Sequence, residues 1–362
     1  MRAVRLLAGP RARERIARDG LAPSSIAAVA AAAGGPKGLA FLALDEWLFG
    51  SWLAAPGRPV LLAGASIGAW RMAAAAHPDG VAATRRLGEA YLELQRYPVR
   101  PSARRVARTC RAIVEATIGD ARRFVERARR DRPLAVVTAR GRGAIERATH
   151  RLAFARPALA NLASRGALGA HLQRVVFALG AHDDGHRGVW PDDSFGTRRV
   201  DLDADNAVDA LLASGTIPLL AEPVRDPAKA PPGHYWDGGL VDYHLFLRWR
   251  HLDGLLLYPH FTPWLTPGWL DKGLPWRRRG LRGSAHWLDD VLLVVPSPEL
   301  LARLPGGRLP ERGDFHRHGL DHDGRLRDWR RAIAECAAMA EDFAAFAERP
   351  DPARLEPLGG AR

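Results

Sequence analysis

Cysteine, lysine and long apolar runs are scarce in this chain, and each scarcity removes a class of protein. Cys110 and Cys336 are the only cysteines in 362 residues, too few and too far apart for a disulfide scaffold or a thiolate zinc site. A reducing, cytoplasmic setting fits that usage. No run approaches the roughly 18 apolar residues that a spanning helix needs. The longest, residues 26–33, has the length of a buried strand. The N-terminus turns to charge at Arg11, Arg13, Glu14 and Arg15, without the apolar stretch of a secretory signal. Lysine stands only at Lys37, Lys229 and Lys272, so the net charge of +13 is carried almost wholly by arginine. The arginines are interspersed with acids and form no basic stripe with interleaved aromatics, so no specific nucleic-acid partner is expected.

What is present can fold. A hydrophobic content of 47% over 362 residues excludes a disordered chain and allows one large α/β domain or two smaller ones. No internal repeat and no long linker forces a division. Residues 25–33 read as a strand, 34–38 as a glycine loop and 39–49 as a helix. Residues 58–63 read as the next strand, followed by a turn and a helix to His77. That β-loop-α-β-loop-α order is the mark of a parallel sheet with helices on its faces. Residues 81–132 read as a basic helical insertion or cap, solvated or facing a membrane. Strands are expected at 134–138, 174–179, 255–258 and 291–295, and a helix at 205–213 capped by Asp203 or Asp205. Leu326, Trp329, Ile333, Cys336, Ala340 and Phe343 recur at helical spacing, so 326–346 reads as one packing helix with Cys336 a core thiol. Residues 1–24 stand apart as an N-terminal segment, 25–349 form the domain, and 350–362 read as a loose tail.

Three stretches carry chemistry. Gly64-Ala65-Ser66-Ile67-Gly68 follows the apolar run 60–63 and precedes a helix, so Ser66 sits on a strand-to-helix elbow. Glycines on either side let strand and helix crowd together and project the hydroxyl, and the turn aims the Ile67 N–H at an oxyanion. Gly34-Gly35-Pro36-Lys37-Gly38 opens a helix, where amides can converge on a negative oxygen; its spacing is neither that of a P-loop nor that of a dinucleotide fold. Trp236-Asp237-Gly238-Gly239 follows a strand-like aromatic run, which puts the Asp237 carboxylate at a strand end, where parallel sheets form ligand sites.

The glycine loop, G-x-S-x-G and D-G-G in that order resemble the patatin-like phospholipase family. The 213–218 segment, Ala213-Ser214-Gly215-Thr216-Ile217-Pro218, adds to that likeness, which covers about residues 25–245. The resemblance implies a three-layer αβα patatin-like fold with a central, mainly parallel sheet and a helical insertion. It implies a serine-aspartate dyad without histidine, Ser66 the nucleophile and Asp237 the base. Gly34, Gly35 and Ile67 would form the oxyanion hole, supported by Lys37, Gly38, Gly64, Gly68, Gly238 and Gly239. The implied chemistry is hydrolysis of a lipid carboxylic ester through an acyl-Ser66 intermediate, with no metal and no cofactor. The chain departs from the family in having Ala33 before two glycines, Pro36 inside the loop, and Asp242-Tyr243-His244-Leu245 after the D-G-G, which bears on substrate class.

Rival readings stand beside this one. A Ser-His-Asp esterase would draw on His77, His234 or His244; a silent scaffold would keep the fold without activity. Two Asp/His-rich loops, one with Asp314, His316, His318, Asp321, His322 and Asp323 and one with His182, Asp183, Asp184 and His186, read as solvated turns and not as metal sites. Asp201, Asp203 and Asp205 lack a calcium loop's glycine and distal glutamate. The 262–287 stretch mixes Trp264, Trp269, Trp276 and Trp287 with Arg277, Arg278, Arg279 and Arg282, the pairing an anchor on an anionic bilayer would use. Peripheral membrane contact is therefore an expectation for that loop.

Overall fold

The apolar runs near residues 30, 62 and 136 become the middle of one sheet, and everything that concerns the site is hung from their C-terminal ends. The computed structural model describes residues 2–128, 130–179, 188–274, 276–277 and 284–358. Among them eleven strands share a sheet: β1 (Val4–Ala8), β2 (Ile26–Ala31), β3 (Leu61–Ala65), β4 (Leu134–Gly141), β5 (Leu172–Leu179), β6 (Arg198–Asp201), β7 (Val224–Arg225), β8 (His234–Asp237), β9 (Leu255–Pro259), β10 (Val291–Pro296) and β11 (Leu355–Pro357). Their order is β11-β1-β10-β9-β2-β3-β4-β5-β6, with β8 on β4 and β7 on β8. The block β10-β9-β2-β3-β4 is parallel throughout. Among the described residues, antiparallel pairings occur only at β1–β10, β4–β5, β4–β8 and β7–β8.

The central strands are buried on both faces, which is why they read as unbroken apolar runs and not as alternating ones. Val29 and Leu62 face one core, with the helices Ile67–Ala76, Gly80–Glu93, Ala103–Ile118 and His322–Cys336. Ala28, Ala30 and Leu61 face the other, which Trp249, Leu245 and Leu265 close from short turns and irregular chain. The sheet is thus covered on both sides, thickly by helices on one and thinly on the other.

Several boundaries differ from the sequence reading. The glycine loop is already helical: a 3-10 turn at Gly35–Phe41 runs into Leu42–Trp47 and a wider turn at Leu48–Trp52. Pro36 sits at the start of that turn, where its missing N–H has no acceptor to lose. The 81–132 segment is three helices, Gly80–Glu93, Ala103–Ile118 and Ala121–Arg127. Pro98 and Pro101 interrupt the first pair, and Gly119 at φ 66° ends the second helix. The 205–213 helix begins at Ala207 behind Asn206, without a side-chain cap. Asp203 is turned instead to the Asp205 N–H and to Lys229. The C-terminal helix is two, His322–Cys336 and Ala338–Glu348, with Cys336 buried and unbonded as expected. The described stretches nearest the two ends are paired. Val4–Ala8 pairs with β10, and Leu355–Pro357 adds an edge strand on β1, where Arg5 and Glu356 form an ion pair.

One buried pair ties the two helical arms of the site together. Arg71, on the helix after Ser66, grips Asp45, on the helix after the glycine loop, through two bonds of 2.6 and 2.8 Å. Both side chains are almost wholly buried. Burial still holds the Asp45 carboxyl above its ordinary range, against the Arg71 charge and hydrogen bonds. Breaking such a pair leaves a buried charge alone, at a cost of about 3–5 kcal/mol. Arg71→Met should therefore lower the unfolding free energy read from urea denaturation by that order. Combining it with Asp45→Leu should recover most of the loss, because no unpaired charge is then left behind.

Candidate active site

Ser66 follows β3 directly and opens the helix Ile67–Ala76, in a left-handed conformation (φ 57°, ψ −130°) that side chains rarely take. Holding a non-glycine residue there costs on the order of 1–3 kcal/mol and needs rigid surroundings. Gly64 and Gly68 supply them. A Cβ on Gly68 would lie 2.0 Å from the Ala31 carbonyl oxygen, and one on Gly64 would lie 2.5 Å from the Ala69 Cα. The helix can approach β2 and β3 this closely only because both positions are bare. The Ser66 N–H donates to Ser214 Oγ at 2.9 Å, and that hydroxyl donates to the Val137 carbonyl of β4 at 2.7 Å.

Asp237 reaches the same place from the other direction. β3 runs along β4 as far as Ala65 opposite Val137, and β8 continues the same edge from Asp237 opposite Thr138. Two strands of opposite sense therefore end at adjacent positions of β4. The 214–216 segment fills the join: the Asp237 N–H donates to the Thr216 carbonyl at 2.7 Å and the Gly238 N–H to the Ser214 carbonyl at 3.2 Å. A Cβ on Gly238 would strike the Val137 carbonyl at 2.1 Å. Ser66 and Asp237 are each only 7% exposed. Burial raises the Asp237 carboxyl to about 6, opposed by its hydrogen bonds with the Ser66 hydroxyl and the Gly239 N–H, and then by the charge of Arg312. The Gly239 bond is 2.7 Å long.

The glycine loop lies across from this pair. Gly35 has φ 58°, which a side chain would oppose. Gly35 and Ile67 are the first residues of their helical segments, so their N–H groups have no intrahelical acceptor. A Cβ on Gly38 would meet the Ile67 side chain at 2.6 Å, which fixes the loop against the elbow. Ser66 stands between two cavities. One, about 330 Å³, is polar and is lined by Gly34, Gly35, Lys37, Asp237, Lys272 and Arg312 among others. The other, about 260 Å³, is walled by Trp70, Tyr91, Val99, Val106, Ile217 and Leu220. Ser66, Gly35, Ile217 and Arg312 line both.

The remaining candidates lie elsewhere. His77 bonds to the Asp79 backbone, His244 accepts from the Thr266 N–H at 2.9 Å, and His234 packs edge-on against Trp236; none of the three lines either cavity. His316 does reach the apolar cavity, at its exposed rim. Asp314 is committed to Trp329 and Arg317, and Asp321 caps the following helix. His182, Asp183, Asp184 and His186 lie outside the described residues, as do Arg278, Arg279 and Arg282. Trp264 and Trp276 are exposed, but Arg277 is held by Asp271 at 2.6 Å and is not free to meet a bilayer. Trp287 packs on Phe246, and Trp269 lines the polar cavity. Among the described residues no helix is long and apolar enough to cross a membrane. The sequence reading did not single out Arg312 or Lys272 for the site, and it named Ser214 without a role. Only the rarity of lysine could have drawn notice to one of them.

A family model described as patatin-like phospholipase matches residues 29–246, more than half of the 362-residue chain. No curated protein matches it.

The buried carboxyl has a measurable consequence for stability. Its pKa is about 6 in the fold against 3.8 ordinarily, a difference worth roughly 3 kcal/mol at 1.36 kcal/mol per tenfold. Below pH 3.8 the group is protonated in both states and carries no penalty; as pH rises through 6 the folded state must hold a buried charge. Asp237→Asn should thus unfold at higher denaturant than the native chain at pH 8, with the gap closing at pH 4. An equal gap at both pH values would count against the raised carboxyl.

Proposed function

The chain belongs to the patatin-like phospholipase family, which implies a hydrolase of lipid esters, and from that premise we propose a serine-aspartate dyad enzyme working through an acyl-Ser66 intermediate. Ser66 Oγ attacks the ester carbonyl carbon as Asp237 takes its proton. The carbonyl oxygen, now negative, is held by the N–H groups of Gly34, Gly35 and Ile67 at the positive ends of two helical segments. Collapse of the tetrahedral species expels the alcohol, which leaves with the proton from Asp237. A water activated by Asp237 then releases the acid and restores Ser66. The acyl chain would lie in the apolar cavity. A carboxyl near 6 is charged at neutral pH yet basic enough to accept a proton in the transition state.

The observation that supports this reading most is the junction on β4, where Ser66 and Asp237 end adjoining strands and face one cavity. Contact with a lipid surface would fall to Trp264 and Trp276, the exposed tryptophans of the 262–287 loop, together with Arg278 and Arg279. A reducing cytoplasmic setting suits the two unbonded thiols, Cys110 and Cys336.

A fluorophosphonate probe tests the nucleophile. The native chain should label and hydrolyse p-nitrophenyl butyrate; Ser66→Ala should do neither, with kcat/KM down by about 10³-fold or more. Asp237→Asn should lose activity on a similar scale. In the native chain kcat/KM should fall as pH drops through about 6. No labelling of the native chain would favour a silent scaffold. Near-total loss of hydrolysis in His234→Ala or His244→Ala would favour a histidine mechanism.

A further inference from the structure

The apolar cavity beside Ser66 has one wall residue that a plain acyl chain does not call for. Arg325, on the helix His322–Cys336, lines it and is 1% exposed. One terminal nitrogen of Arg325 donates to the Gln95 carbonyl at 2.7 Å. Its Nε–H is buried without an acceptor, and no carboxylate pairs with the guanidinium among the described residues. Asp314, whose charge favours it, is bonded to Trp329 at 2.9 Å and paired with Arg317. Burial and the charge of Arg96 press the Arg325 pKa down.

Aromatic rings are what hold this desolvated cation. The guanidinium lies 4.4 Å from the Phe315 ring centroid and 5.2 Å from that of Trp329. Ring faces stabilise the charge but accept none of the N–H groups that lie in the guanidinium plane. Among the described residues no Asp or Glu lines the cavity, so its wall offers no counter-charge. A buried cation in that state favours an anion that brings in-plane acceptors, and a carboxylate matches its planar fork.

The course of the cavity says where that anion would come from. Ser66 is on the same wall, and Trp70 stands one turn along its helix. The Trp70 and Tyr91 ring centroids are 6.2 Å apart, and those of Tyr91 and Trp329 are 6.4 Å apart. The Tyr91 hydroxyl lies 3.9 Å from where a Cβ on Gly35 would stand. A row of rings thus leads from Ser66 and the glycine loop to Arg325. Val99 and Leu220, also on the wall, are exposed, so the cavity opens to solvent there and not at Arg325. An acyl chain laid along the rings from Ser66 brings its far end to the guanidinium. A methyl end would leave the charge unmatched.

We propose that Arg325 is a carboxylate subsite at the far end of the acyl cavity. The protein would then hydrolyse half-esters of straight-chain dicarboxylic acids in preference to esters of plain fatty acids. This rests on the reading of Ser66 as the nucleophile and deepens it by naming the acyl class.

The test pairs p-nitrophenyl half-esters of dicarboxylic acids with p-nitrophenyl esters of monocarboxylic acids of equal length, over a series of lengths. In the native protein the acidic ester should exceed its neutral partner in kcat/KM by about tenfold or more at the length that reaches Arg325, and not at shorter ones. Arg325→Met should abolish that preference through the KM of the acidic ester. Arg325→Lys, which keeps the charge without the planar fork, should retain part of it. Neutral esters equalling or exceeding acidic ones at every length in the native protein would overturn the subsite without any variant. Equal losses on both esters in Arg325→Met would make the residue structural and overturn it too.

Titration calorimetry of octanoate into Ser66→Ala reads the subsite without turnover, and Arg325→Met on that background should abolish the binding. If the native protein fails to label with fluorophosphonate yet this binding holds, the hydrolase reading falls and the carboxylate site stands. Arg325-dependent octanoate binding with normal labelling but no acidic preference would assign the site to a free acid and overturn the substrate class. Normal labelling with neither binding nor acidic preference removes this inference alone.

Discussion

One edge of β4 is shared by two strands that arrive from opposite directions, and the site depends on that sharing. β3 occupies the edge up to Val137 and β8 takes over at Thr138, so residues far apart in sequence end face to face. Register is the constraint that makes this work. A slip of one residue in either strand would send its terminal side chain to the opposite face of the sheet. Ser214 guards the junction from above: its hydroxyl joins the Ser66 N–H to the Val137 carbonyl, while its own carbonyl receives the Gly238 N–H. A single serine side chain and its backbone thus set elbow, strand end and β4 in fixed relation.

The same junction gathers two unfavourable features. Ser66 is held in a left-handed conformation, and Asp237 is a carboxylate that burial would rather see neutral. Both are local violations of what folding prefers, and such violations persist only where the surroundings over-determine them. Here the surroundings are close-packed backbone at Gly64, Gly68 and Gly238 and the buried Arg71–Asp45 pair. That pair does more than stabilise. It links the helix that begins at Ser66 to the helical arm that begins at Gly35, so the distance between Ser66 and glycine loop is set by a rigid tie rather than by loop geometry.

Much of this was legible in the sequence, and for physical reasons. Gly35, Gly64, Gly68 and Gly238 are glycine because a Cβ is forbidden or strained there, so they punctuate the chain at fixed offsets from Ser66 and Asp237. The central strands announced themselves as apolar runs because both their faces are buried. What stayed hidden depends on long-range placement. Arg312 is one arginine among many, and nothing near it in sequence says that its guanidinium hangs over the glycine loop. Leu355–Pro357 is too short to show a period, so its pairing with β1 could not be read. Arg277 looked available beside Trp276, but Asp271, six residues earlier, takes it. The helix break at Ala337 has neither proline nor glycine to mark it.

Arg312 also acts on the group proposed to take the proton. Its charge lowers the proton affinity of Asp237, in opposition to burial. Removing that charge would leave the carboxylate with less relief from burial, so a residue far from Asp237 in sequence helps set how strong a base the buried carboxylate is. The hydrogen bonds from the Ser66 hydroxyl and the Gly239 N–H act in the same sense and come first, so the proton affinity of Asp237 is fixed by the same junction that fixes its position.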